Sequence, residues 1–175
     1  MALTDCSLIT NETIDCANSV GGIKAIYITE LGNKSSITSS SGTITAFTLT
    51  SGKKFWQYEL EKNNAELKVK GIRSVDAGTL FYESELTFTL KKMSAQKQNN
   101  LSNLMQNRLM VITLDKNGVY FLHGELNGMD LSTMEGGSGK AAGDMNGYTL
   151  TLTGQEEAQA RVVTTGLIAA LLVNA

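Results

Sequence analysis

Apolar and polar positions alternate with period two along most of this chain, and that period predicts strands. "GGIKAIYITEL" opens after Gly21-Gly22 and is rich in β-branched residues. "SSSGTITAFTLTSGKKFWQYEL" gives two runs around Ser51-Gly52, which reads as a hairpin. "AELKVKG" sets Ala65, Leu67 and Val69 against Glu66, Lys68 and Lys70. "ESELTFTLKK" points Leu86, Phe88 and Leu90 inward and Thr87 and Thr89 outward. "RLMVITL" and "VYFLHGEL" flank a tight turn, Asp115-Lys116-Asn117-Gly118, with glycine where a positive φ is expected. "YTLTLTG" repeats the alternation at Tyr148, Leu150 and Leu152. One segment breaks the period. "MSAQKQNNLSNLMQN" carries Leu101, Leu104 and Met105 at helical spacing, with Ser94 placed as an N-cap. It predicts one short helix, about 94–107, laid across the end or face of a sandwich.

Composition supports this reading. Glycine is plentiful at 17, proline is absent, and charged residues make up 18% of the 175. Such a chain suits sheet better than a helical bundle. The expectation is a mainly β protein: a single β-sandwich or barrel-like domain over 1–175, with long loops and terminal arms. The net charge of −2 argues against a dedicated polyanion-binding surface. "MALTDCSLIT" has no basic stretch followed by an apolar run, so it does not read as a secretory signal. Cys6 and Cys16 then read as reduced thiols, with a disulfide between them left open. The apolar end "GLIAALLVNA" is too short to span a bilayer, which takes roughly 20 residues. It is expected to be a buried terminal strand or a contact with another subunit.

Candidate chemistry is sparse. "EGGSGKAAGD" at 135–144 ends a glycine cluster in Gly-Lys, as a phosphate-binding loop does. But Met134 stands where that motif needs its first glycine, and Ala141 where it needs a hydroxyl. No helix pattern follows, so a glycine-rich connection between strands is the better reading. His123 is the only histidine and lies in mid-strand, which reads as a satisfied residue rather than part of a catalytic triad. Glu83 and Glu85 share one strand face, whereas paired catalytic carboxylates must face each other across a cleft. Trp56 and Tyr58 read as a core-facing pair, with a sugar-stacking platform as the competing reading. "KKFWQYELEK" mixes bases and aromatics, but Glu59 and Glu61 cancel its charge. No catalytic residue, cofactor or metal site is expected.

The order strand, helix, hairpin, loop, strand from about Gly78 to Gly154 ("YESELTFTLKK", "SAQKQNNLSNLMQN", "MVITLDKNGVYFLHGELNG", "GDMNGYTLTLTGQEE") resembles the major tail tube proteins of tailed bacteriophages, especially those infecting Bacteroidetes. It is similar also to the tube proteins of contractile injection systems. In that family six copies form a ring, rings stack, and the inner sheets close into a barrel that DNA traverses. The resemblance implies a virion protein, made in the bacterial cytoplasm, whose partners are copies of itself and other tail proteins. It implies no membrane. It also gives the glycine-rich loop and the C-terminus a role in subunit contacts. The candidate interface residues are Met134, Gly136, Gly137, Gly139, Lys140, Met145, Leu167, Ile168, Leu171 and Leu172. A capsid-decorating or neck protein, a carbohydrate-binding or adhesion module, and a small hydrolase using His123 are the alternatives.

Overall fold

The structure, a computed structural model of the chain, describes residues 11–14 and 16–173. In chain order its elements are β1 (Ile23–Glu30), β2 (Lys34–Ser40), β3 (Thr43–Leu49), β4 (Trp56–Glu59), β5 (Ala65–Ser74), β6 (Thr79–Lys91) and α1 (Ala95–Gln106). There follow β7 (Leu109–Asp115), β8 (Tyr120–His123), β9 (Met129–Gly137), β10 (Gly147–Glu156), β11 (Arg161–Val163) and α2 (Thr165–Val173). The protein is mainly β, as the alternation requires. Its strands form two layers. The larger runs β2-β3-β11-β8-β7, continued by β1 on the other side of β7 and by β4 beyond β1. The smaller is the four-stranded run β9-β10-β6-β5. A single bridge, Leu109 to Met129, joins the layers, and the sheet does not close.

Two hydrophobic cores explain why β1 and β7 are apolar almost throughout. Ile26, Ile28, Leu109 and Val111 point between the layers and meet Leu86, Phe88, Leu131, Leu150 and Leu152 of the smaller sheet. Ala25, Tyr27, Met110, Ile112 and Leu114 point the other way. They meet Ile44, Phe47 and Leu49 of β3, and Ile168 and Leu171 of α2. A strand buried on both faces loses its polar alternation. Each aliphatic side chain so buried contributes roughly 1.5–3 kcal/mol. Helix α1 starts where expected: the Ser94 hydroxyl accepts from the Lys97 amide at 3.3 Å. Leu101 and Leu104 pack on the inter-layer core, but Met105 is exposed, so the apolar stripe is narrower than its spacing implied.

Three expectations are corrected. The runs around Ser51-Gly52 do not form a hairpin. β3 pairs with β2 and β11, whereas β4 pairs with β1. The hairpin is β2–β3, turned by Ser41 and Gly42, both with positive φ (49° and 78°), the combination that suits the twist of paired strands. The C-terminus is the helix α2, not a strand. Its Ala-Ala-Leu-Leu run favours helix, and Ile168 and Leu171 lie one turn apart on its buried face. Trp56 faces out, with 61% of its surface exposed, while its neighbour Phe55 is the buried aromatic. The possible Cys6–Cys16 bond has one partner outside the described residues; Cys16 is exposed.

Candidate functional site

His123 ends β8 and turns its ring into the space between the layers. Its Nδ1 lies 3.3 Å from the Ser84 hydroxyl and its Nε2 lies 3.2 Å from the Thr113 hydroxyl. One ring nitrogen donates and the other accepts, so all three groups are satisfied. Burial pushes the imidazole pKa down to about 4. No carboxylate orients the ring, and both nitrogens are occupied by hydroxyls of the interior. The three side chains form a buried polar network. Among the described residues, no group of three or more His, Cys, Asp or Glu is placed to hold a metal ion.

The glycine-rich stretch is shorter as a loop than its sequence implies. Glu135, Gly136 and Gly137 belong to β9, and Gly147 begins β10. Gly136 stands opposite Tyr148, whose ring covers it; a Cβ there would lie 2.7 Å from the ring. The strand thus uses glycine to seat an aromatic, not to flex. Gly139 has a φ of +70° and starts a turn closed by Asp144. The Asp144 carboxylate accepts from the amides of Lys140 at 2.8 Å and Ala141 at 2.9 Å. These two hydrogen bonds hold the carboxyl pKa below its usual value. Backbone amides of this kind are what a phosphate loop offers its anion. Here the chain's own carboxylate takes them.

The remaining interface candidates fall into two groups. Met134 and Met145 flank the turn and are 37% and 48% exposed. Gly137 and Lys140 are exposed beside them. On α2, Ile168 and Leu171 are buried within their own subunit, against Ile44, Phe47 and Phe55. Leu167 and Leu172 keep part of their surface, and Val173 at the end of the helix is 73% exposed. The C-terminal segment is therefore chiefly a lid on the second core, fastened by the Phe55 amide donating to the Leu171 carbonyl at 3.0 Å.

The smaller sheet presents a different surface. Strand register places Thr87, Thr89, Thr149, Thr151 and Thr153 together on its outer face, where the Thr87 and Thr151 hydroxyls lie 3.3 Å apart. The carboxylates of Glu66, Glu83, Glu85, Asp130 and Glu135 share that face with Lys68, Lys70 and Lys91. Glu83 and Glu85 stand opposite Lys70 and Lys68, on an open surface rather than in a cleft. Among the described strands, none pairs with the outer edge of β5. The outer edge of β9 meets β7 only at Met129. Beyond the core the β5–β6 hairpin continues as an arm that exposes Val69, Ile72, Val75 and Leu80. The sequence reading missed this arm, although the apolar residues around Asp76-Ala77-Gly78 are visible in it.

On the opposite flank, β4 and α1 border a groove of about 490 Å³. Trp56 and Tyr58 stand on its strand side, and Gln96, Asn100, Asn103 and Asn107 on its helix side. Tyr58 also packs edge-on against Phe88, with ring centroids 6.3 Å apart, and burial raises its hydroxyl pKa. The Lys54 ammonium sits 4.4 Å from the centre of the Trp56 ring. The core-facing reading thus holds in part for Tyr58 and fails for Trp56.

No protein-family model, no curated protein and no solved structure matches the chain. No helix among the described residues is long and apolar enough to cross a membrane, a statement that does not extend to strands.

Proposed function

We propose that this chain is a structural subunit that assembles with copies of itself into closed, stacked rings, in the manner of the tail tube of a tailed bacteriophage. The observation that carries the reading is the smaller sheet. It has an open edge at β5, a β9 edge with no strand partner among the described residues beyond its single bridge to β7 at Met129, one apolar face packed on the core, and one bare face of threonines and charges. An unpaired edge strand is a template for pairing with another chain. Pairing β5 of one copy with β9 of the next is a head-to-tail contact, and such contacts close into a ring when the rotation per copy divides a full turn. The bare faces would then line the channel. Their five carboxylates against three ammonium groups give a mildly acidic wall, which repels phosphate and lets a nucleic acid pass without sticking. The exposed arm and the β9–β10 turn project from the subunit and offer the apolar contacts between neighbours.

Negative-stain electron microscopy of the purified full chain over a range of concentrations tests this. Rings or tubes of stacked rings are expected. Monomers that persist at high concentration, under conditions where the protein stays folded, would overturn the reading.

A further inference from the structure

The groove between β4 and α1 is lined by chemistry that the assembly reading does not use. Of its thirteen lining residues only Glu30 carries a charge. Six are carboxamides: Asn33, Gln57, Gln96, Asn100, Asn103 and Asn107. On α1, Gln96, Asn100, Asn103 and Asn107 follow one another at spacings of four, three and four, so they form a single stripe along the groove. Asparagine is a poor helix former, and the exposed face of a helix is ordinarily built from charged residues. Here α1 holds one charged residue, Lys97, in twelve. The side-chain amides of Gln57, Gln96, Asn100 and Asn103 have no hydrogen-bond partner among the described residues. Facing them is Trp56, 61% exposed. A second depression of about 460 Å³ continues the groove and shares Gln57, Tyr58, Gln96 and Asn100 with it.

We infer that this groove binds a neutral oligosaccharide. A sugar ring has apolar C–H faces, which stack on an aromatic ring, and a rim of hydroxyls, each both donor and acceptor. A carboxamide is the side chain that matches such a hydroxyl, since it offers two N–H donors and a carbonyl acceptor. The lining of the groove itself carries one charge, the Glu30 carboxylate, which disfavours a phosphate or carboxylate ligand; the nearest cations are Lys54, 4.4 Å from the centre of the Trp56 ring on one of its faces, and Lys91 and Lys97 in the adjoining depression. An apolar peptide fits no better, because amides stripped of water and left unpaired by an apolar partner are penalised. The groove's volume lies in the range of small-molecule sites, roughly 300–1,000 Å³. Its continuation past Asn100 leaves room for more than one sugar.

Trp56 is the only tryptophan, so tryptophan emission, excited selectively over the five tyrosines, reports on this groove. The full chain is titrated with cellotetraose, maltotetraose and chitotetraose. At least one is expected to shift the emission saturably, with a Kd at or below about 1 mM. The double variant Asn100→Ala/Asn103→Ala should bind that sugar about tenfold more weakly or worse, with its melting temperature maintained, because alanine favours helix. Three results would each overturn the assignment. One is no shift with any of the three sugars at about 10 mM, ten times that Kd. Another is undiminished affinity in the double variant. The last is a shift that follows protein concentration without sugar, which makes the groove a contact between copies. The first two outcomes leave ring formation untouched, and the third makes the groove part of the assembly contact; microscopy reads ring formation separately.

Discussion

His123 shows how much one residue's role depends on what surrounds it. In the interior its neutral ring bridges Ser84 and Thr113. The unfolded chain binds a proton near the ordinary pKa of 6.5, whereas the folded chain resists it until about 4. The unfolded state therefore holds more protons between these values. Stability is full above about pH 6.5 and falls as pH drops toward 4, by up to about 3 kcal/mol from this group. Urea unfolding at pH 7 and pH 4.5 should show the loss. A His123→Ala variant should lose roughly 2–4 kcal/mol at pH 7, because it leaves a cavity and two buried hydroxyls without their partner. It should also flatten the pH dependence over that interval. A variant as stable as the parent, with the same pH profile, would remove the network from the account. Asp144 shows the same principle in a turn: a carboxylate that satisfies Lys140 and Ala141 makes a glycine-rich segment a defined turn rather than an anion site.

Elements follow local pattern where one face is buried and depart from it where neighbours intervene. β6 and β10 alternate as written, with Leu86, Phe88, Leu150 and Leu152 inward. The turn 115–118 forms as written, with the Asp115 carboxylate accepting from the amides of Asn117 and Val119 and Gly118 at φ +85°. α2 departs. Its apolar run was legible as buried, but strand and helix look alike over the six leucine, isoleucine and alanine residues 167–172. Contact with β3 and Phe55 decides for the helix. Deleting the residues after Gly166 removes Ile168 and Leu171 and uncovers Ile44, Phe47 and Phe55. The cost is on the order of 5 kcal/mol, a large part of a typical domain's stability. The truncated protein should be insoluble or should unfold well below the parent in a thermal melt. A soluble truncation with an unchanged melt would show that α2 is not a lid.

At the scale of the whole molecule, the open edges and the arm make a prediction about protection. In the free subunit, amides on the outer edges of β5 and of β9 from Leu131 onward have no strand partner. Amides of β7, which lies between paired strands, are held on both sides. Hydrogen exchange should be fast at the two edges in the free subunit and slow after assembly, while β7 stays protected throughout. The amides of Lys140 and Ala141, tied to Asp144, should show some protection even before assembly. Edges that exchange equally fast in both states would mean that assembly, if it occurs, uses another surface.

The sequence by itself determined the class of fold, most of the strands, the capped helix α1 and the turn at Asp115–Gly118. These rest on periodicity and on turn and cap chemistry, which act over a few residues and depend little on the rest of the chain. It also showed that 135–144 lacks the first glycine and the hydroxyl of a phosphate loop, whereas the Ser84 and Thr113 partners of His123 come from distant strands and only the fold brings them together. Only the tertiary structure decided that β3 pairs with β2 and β11 while β4 crosses to β1. Strand partners are chosen by which faces bury together, and that choice is non-local. The same folding turned Trp56 outward beside the amide stripe of α1, left the outer edges of β5 and β9 open, and closed Ile168 and Leu171 over the second core. A side chain's exposure depends on what packs against its strand, and no spacing along the chain records that.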